Sequence, residues 1–276
     1  AIARRHGVFT VDDAAQAMGA SVGGRPSGTW GDAGLFSLDK GKNVSAIDGG
    51  VVVTSADDVA AALREEMAGL RSPGAGASGL GVAKALVYFL MLRPWLYWIP
   101  NRIPQLELGQ TVFTTDFPLE LPSRPLVALA RVMVGRLEEL TRARVANASA
   151  LLERLGAVHG LRTIAPRAGA VPVYLRLPVL VSDAEARRRA LGALNAAGIG
   201  ASGSYPASLA DVPELRGFVA GEPDAAGGRR VAREIVTLPT HAFVCPADIA
   251  RASRTLAAAL DATRSARQGT SAVCVE

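Results

Sequence analysis

Lys40 and Lys42 stand almost together in the segment Leu38-Asp39-Lys40-Gly41-Lys42-Asn43, and Lys84 is the one other lysine in the chain. A lysine on a loop between two strands forms a Schiff base with a carbonyl cofactor or substrate when its amine is partly desolvated; a lone lysine otherwise reads as a surface charge. A phosphate-binding NTPase loop does not fit. Phe36 stands five positions before Gly41, where that loop needs glycine, and Asn43 stands where it needs serine or threonine. Upstream, Asp12 and Asp13 follow a strand-like run. Ligands of α/β sheets gather at the C-terminal ends of strands. A carboxylate there can hold the protonated ring nitrogen of a pyridine cofactor, or it can cap a following helix.

Taken together, these residues and their neighbours carry a resemblance. Asp12-Asp13-Ala14-Ala15-Gln16-Ala17 is followed by Gly24, Arg25, Gly28, Gly31 and Asp32 in a glycine-rich loop. Phe36-Ser37 comes next, with Lys42 five residues after the serine, then Asn43 and Asp48-Gly49-Gly50. The stretch from Ile2 to Thr54 resembles the cofactor-binding core of the DegT/DnrJ/StrS-type sugar aminotransferases. The spacing from Ser37 on one side and from Gly49-Gly50 on the other picks Lys42 over Lys40.

The resemblance implies a pyridoxal 5'-phosphate enzyme of fold type I, an α/β protein. It implies part of a large mixed-sheet domain and a small C-terminal α/β domain. Lys42 is then the catalytic lysine, linked to the cofactor and shuttling the proton between substrate and cofactor carbons. Asp13 is implied to pair with the pyridine nitrogen, Gln16 to contact the ring near its phenolic oxygen, and Ser37 to bond the phosphate. The implied reaction moves an amino group, usually from glutamate, to a nucleotide-linked keto sugar. A sugar dehydratase, a regulatory paralogue or an inactive interaction module are the competing readings, and the retained lysine argues against the dehydratase. The implied assembly is a homodimer with its site at the interface.

Further matches are the helix with Arg144, Asn147 and Ala148, and the segments Gly198-Ile199-Gly200, Tyr205-Pro206 and Leu238-Pro239-Thr240-His241. Met18 stands where many relatives have histidine, a packing difference. The family's Asn-x-Arg segment has no clear counterpart, and Asp116-Phe117-Pro118-Leu119 occupies that region. The chain opens inside a helix-like run, Ile2 to Gly7, and reads as the C-terminal part of a longer protein. The preceding portion would supply a phosphate loop and an aromatic ring for the cofactor.

The elements that must position these residues follow from periodicity. Val8–Val11, Gly34–Ser37, Gly50–Thr54, Val173–Val181, Ile199–Ser202 and Ile235–Leu238 read as strands, with Gly50–Thr54 buried on both faces. Ala14–Ala20, Asp57–Leu70 capped by Ser55, Asp183–Ala197 and Pro246–Ala262 read as helices, with one long helix from Pro125 to Leu155. Gly23–Gly31 reads as a loop and Ser72–Gly81 as a linker. The expected division is 1–80 for the cofactor-binding part, 81–124 for an apolar connection and 125–276 for the helix and small domain.

The chain has 276 residues, 49% of them hydrophobic, enough for a sizeable core. Its net charge of +5 comes almost wholly from arginine. The basic residues do not cluster beyond Arg187-Arg188-Arg189, read as a solvated helix face, so nucleic acid is not an expected partner. Cys245 and Cys274 lack metal or redox spacing, so no metal is expected and a reducing, cytoplasmic compartment is the default. Ala85–Pro100 is apolar and rich in Trp and Tyr, but Arg93-Pro94 interrupts it well short of the ~20 residues a membrane span needs. A buried or dimer-facing element is expected there, with a membrane-surface contact as the alternative.

Overall fold

The computed structural model describes residues 2–91, 119–205, 207–215 and 224–272. They form two units. One holds residues 2–91, 119–145 and 166–175; the other holds residues 146–165, 176–205, 207–215 and 224–272.

The first unit begins with the short helix α1 (Ile2–Arg5). Its main sheet is three-stranded, with β4 (Ala33–Ser37) at the centre between β1 (Val11–Asp13) and β5 (Gly50–Val53). β1 runs parallel to β4, with Asp13 opposite Leu35, and β4 runs antiparallel to β5, with Ser37 opposite Gly50. The first strand starts at Val11 rather than Val8. The fifth is not buried on both faces: Val51 and Val52 are 37% and 53% exposed, because β5 is the edge of this sheet.

Ala14–Ala20 is not a helix. Its backbone closes as successive turns, Ala17 N–H to Ala14 O and Ala20 N–H to Ala17 O, while Asp13 Oδ1 accepts the Ala15 N–H. An aspartate that bonds the amide two residues on initiates a turn in place of a helix. The glycine-rich loop contains a hairpin of β2 (Ser21–Val22) and β3 (Arg25–Pro26). Gly23 and Gly24 lie at φ +56° and +78°, the two-residue turn that matches strand twist and that residues with a Cβ rarely adopt. β7 (Ala170–Val171) extends this hairpin.

Helix α2 (Asp57–Ala68) is capped at Ala56, not Ser55; Thr54 Oγ1 accepts the Ala56 N–H. The expected linker is short, because α3 (Ala75–Met91) starts inside it. In the described part of the apolar stretch, Leu86, Val87, Phe89 and Leu90 are each about half exposed or more, so the described residues do not bury them. Trp95, Tyr97, Trp98, Asp116-Phe117-Pro118, Pro206 and Cys274 lie outside the described residues. No helix among the described residues is long and apolar enough to cross a membrane.

The expected long helix is two: α4 (Arg124–Gly135) and α5 (Leu137–Leu155). They part at Arg136, whose backbone leaves helical geometry (φ −100°, ψ 5°) and whose guanidinium pairs with Glu139 at 2.8 Å. Met133 and Leu137, from either side of this break, pack on the buried Leu38, Val44 and Ala46.

The second unit is an antiparallel sheet with β8 (Arg176–Val181) between β6 (Leu161–Thr163) and β9 (Ile235–Pro239). Helices α6 (Ala184–Ala196), α7 (Ala226–Glu234) and α8 (Pro246–Ala272) accompany it. Asp183 caps α6, its carboxylate accepting the Ala186 N–H. The expected strand at Val173 starts only at Arg176, since Tyr174 takes a positive φ; Ile199–Ser202 contributes a single bridge, Ser202 to Thr237. Leu177, Val179, Val236, Leu238, Leu194 and Leu256 are fully or almost fully buried and form this core. Arg188 and Arg189 do face solvent, each paired with Glu185. Arg187 does not: it is half-buried and donates to Ile235 O and Gly203 O. Burial lowers its pKa from the usual arginine value.

Candidate active site

The first unit gathers the residues singled out in the sequence. Parallel neighbours end at the same edge of a sheet, so Asp13, closing β1, and Ser37, closing β4, share the C-terminal edge where ligands bind. Gln16 follows in the turn after β1 and is exposed. Lys42 is partly buried on the connection from β4 to β5.

Asp12 and Asp13 divide their work. Asp12 Oδ2 accepts the N–H groups of Gly28 (2.7 Å) and Trp30 (3.0 Å), which ties the glycine-rich loop to β1. Asp13 accepts only the Ala15 N–H, through Oδ1, among the described residues. Its second oxygen therefore stands open to a donor. Asp32 clamps the far side of the same loop, accepting from Thr10 N–H and Thr10 Oγ1, both at 2.7 Å. The Thr10 hydroxyl, followed by the Thr10 amide, holds its pKa below the usual 3.8. Gly28 and Gly34 make the close approach possible: a Cβ on Gly34 would lie 1.8 Å from Gly28 O, and one on Gly28 would lie 2.2 Å from the Phe36 ring.

The lysine connection is closed at its base and anchored on both flanks. Leu38 N–H donates to Gly49 O and Ala46 N–H to Leu38 O. Within the loop, Lys42 N–H donates to Asp39 O and Gly41 takes φ +79°. Gly41 N–H donates to Tyr88 Oη of α3 at 2.8 Å. On the other flank Asn43 is 5% exposed and Val44 fully buried. Asn43 Nδ2 donates to Met18 O (3.0 Å) and Thr141 Oγ1 (2.9 Å), and its Oδ1 accepts Arg144 Nε (2.9 Å). Arg144 Nη1 also donates to Leu175 O at 2.8 Å.

Sequence reading missed Tyr88 and Thr141, and it placed Asn43 and Arg144 only as matched positions. Nothing in local spacing joins residues about a hundred positions apart; a polar residue beside the lysine is the one faint signal. Asn147 is a support of the second unit, its Nδ2 donating to the carbonyls of Thr240, His241 and Val244.

This donor set fits pyridoxal phosphate: an open carboxylate oxygen for a ring N–H, a serine hydroxyl at the same sheet edge for phosphate, and an amine on a held loop. No group of His, Cys, Asp and Glu among the described residues could hold a metal ion.

The fold is an α/β scaffold that carries these residues in its first unit. Residues 1–81 and 126–257 match the model of the DegT/DnrJ/EryC1/StrS aminotransferase family, and the chain belongs to that family. It is 45% identical over 75 residues to UDP-N-acetyl-3-dehydro-alpha-D-glucosamine 3-aminotransferase of Acidithiobacillus ferrooxidans, a match covering 27% of this chain and 19% of that protein. Its fold is similar to that of an aminotransferase from Streptoalloteichus hindustanus (TM-score 0.70, 24% identity, 95% of this chain and 61% of the other). It is also similar to the PLP-form of a putative sugar aminotransferase from Streptococcus pneumoniae (TM-score 0.63, 16% identity, 92% and 58%). The chain thus spans about three-fifths of the length of these two solved relatives.

Proposed function

We propose that the protein containing this chain is a pyridoxal-phosphate aminotransferase that moves an amino group from glutamate to a nucleotide-linked keto sugar, working as a cytoplasmic homodimer. One observation carries the reading: Asp13 and Ser37 close adjacent parallel strands, and the connection leaving the second strand bears Lys42. Family membership and the nucleotide-sugar name of the Acidithiobacillus relative support the substrate class.

Pyridoxal phosphate, when bound, supplies the electron sink that makes a carbon–hydrogen bond beside the amine labile. The chain's own residues supply the rest. The Lys42 amine would hold the group covalently; once the incoming amine had displaced it, its freed Nζ would take a proton from the substrate carbon and return it to the cofactor carbon. The Asp13 carboxylate holds the ring proton in place, the Ser37 hydroxyl donates to phosphate, and Gln16 borders the ring. In this reading residues 1–80 form the cofactor-binding part, 81–124 the connection and 125–276 the helix and small domain. The exposed apolar residues of α3 face a partner subunit.

Visible absorbance of the bound cofactor tests the assignment in the whole protein. Lys42→Ala is expected to abolish it, and Lys40→Ala to leave it. The opposite pattern would show the wrong lysine. Release of 2-oxoglutarate from glutamate, with a panel of nucleotide keto sugars, then tests the reaction; visible absorbance without that release favours a dehydratase.

A further inference from the structure

The side chain next to Lys42 is a buried polar group engaged through both its oxygen and its nitrogen. Asn43 is 5% exposed and uses its acceptor and its amino group on three partners from two other segments. The orientation of its carboxamide is fixed by those partners. Met18 O can only accept and Arg144 Nε can only donate, so Nδ2 must face Met18 and Oδ1 must face Arg144.

The three partners give the network its meaning. Met18 lies in the turns that follow Asp13 and Gln16. Thr141 and Arg144 lie on α5. One buried carboxamide therefore ties the lysine loop to the segment bearing Asp13 and to a rigid helix. The adjoining Val44 and Ala46 are buried against Met18, Met133 and Leu137. Lys42 is the partly exposed residue beside this anchor, and its backbone is held from that side.

We propose that Asn43 is a positioning residue for Lys42, setting the distance between the lysine amine and the Asp13 segment. This rests on Lys42 being the cofactor lysine. A buried polar group with all partners satisfied specifies one geometry, and catalytic groups held by locked neighbours lose rate steeply when those neighbours go.

The test uses the whole protein with pyridoxal phosphate, borohydride reduction and peptide mapping. In the wild type the reduced label is expected on Lys42; label on another lysine overturns both the site reading and this inference. Asn43→Ala is expected to slow labelling of Lys42 by about tenfold and to move the pH midpoint of the cofactor's visible absorbance. Thr141→Val removes one acceptor without changing size or charge, and is expected to do the same to a smaller degree. Thr141→Ser, which restores the hydroxyl, is expected to restore the wild-type rate and midpoint. Should Asn43→Ala fail to fold, the Thr141 pair decides. Leu151→Ala, in the core of the other unit, controls for stability alone: it lowers the melting temperature and leaves the midpoint in place. Label on Lys42 at the wild-type rate and midpoint in Thr141→Val and in any folded Asn43→Ala protein overturns the inference while leaving Lys42 assigned.

Discussion

The Tyr88 hydroxyl accepts the Gly41 N–H at 2.8 Å across 47 positions of sequence, joining α3 to the peptide just before Lys42. The apolar segment thus has a structural link to the lysine loop. Tyr88→Phe removes the acceptor of the Gly41 N–H. One hydrogen bond contributes about 0.5–1.5 kcal/mol. Exchange of the Gly41 amide with solvent deuterium is expected to quicken about threefold to tenfold, with the melting temperature nearly unchanged. Unchanged exchange would show that the loop is held without Tyr88.

Gly34→Ala should be among the most damaging substitutions in the first unit. The new Cβ would lie 1.8 Å from Gly28 O, a backbone atom that cannot swing aside. Overpacking of this kind costs about 3 kcal/mol. Denaturant unfolding should show the loss, together with weaker cofactor absorbance because the glycine loop abuts β4. Gly74→Ala, which meets nothing within 4 Å, is the matched control.

The Asp32 clamp should open in acid. Its folded pKa is lowered from 3.8, chiefly by the Thr10 hydroxyl. A group with a depressed folded pKa stabilises fully above its unfolded value and loses that contribution as pH falls through the folded one. The clamp is therefore intact at neutral pH and begins to weaken below 3.8. Asp32→Asn should remove this acid-dependent step from a stability–pH profile while leaving the rest of the profile in place. A profile identical to wild type below that pH would contradict the assignment.

Asn147→Ala should weaken the second unit. The carboxamide nitrogen donates to three carbonyls between Thr240 and Val244, the turn that leads from β9 to α8. Losing those bonds in a partly buried place costs about 1–3 kcal/mol. Calorimetry should show the lower melting temperature, and the cofactor's spectrum should keep its shape, since Asn147 lies outside the first unit.

The candidate site was legible in the sequence because its pattern consists of residue types at short spacing. Lys42 five after Ser37, the paired aspartates and the glycine loop are all local, and a strand such as Ala33–Ser37 announces itself by a continuous run. Helix limits at Asp183 and Pro246 were legible for the same reason: a cap or a proline acts within one turn. Spacing could not show that Ala14–Ala20 would turn rather than coil into a helix. That depended on the Asp13 carboxylate taking the Ala15 amide and on Met18 packing against Leu38 and Val44. Nor could it show that Arg136 would divide the long helix, or that Gly50–Val53 would be a sheet edge. By itself the sequence determined which groups can do chemistry and in what order they occur. Tertiary structure alone decided which of them are held and by what, because Asn43 meets Arg144, and Gly41 meets Tyr88, only once distant segments have folded together.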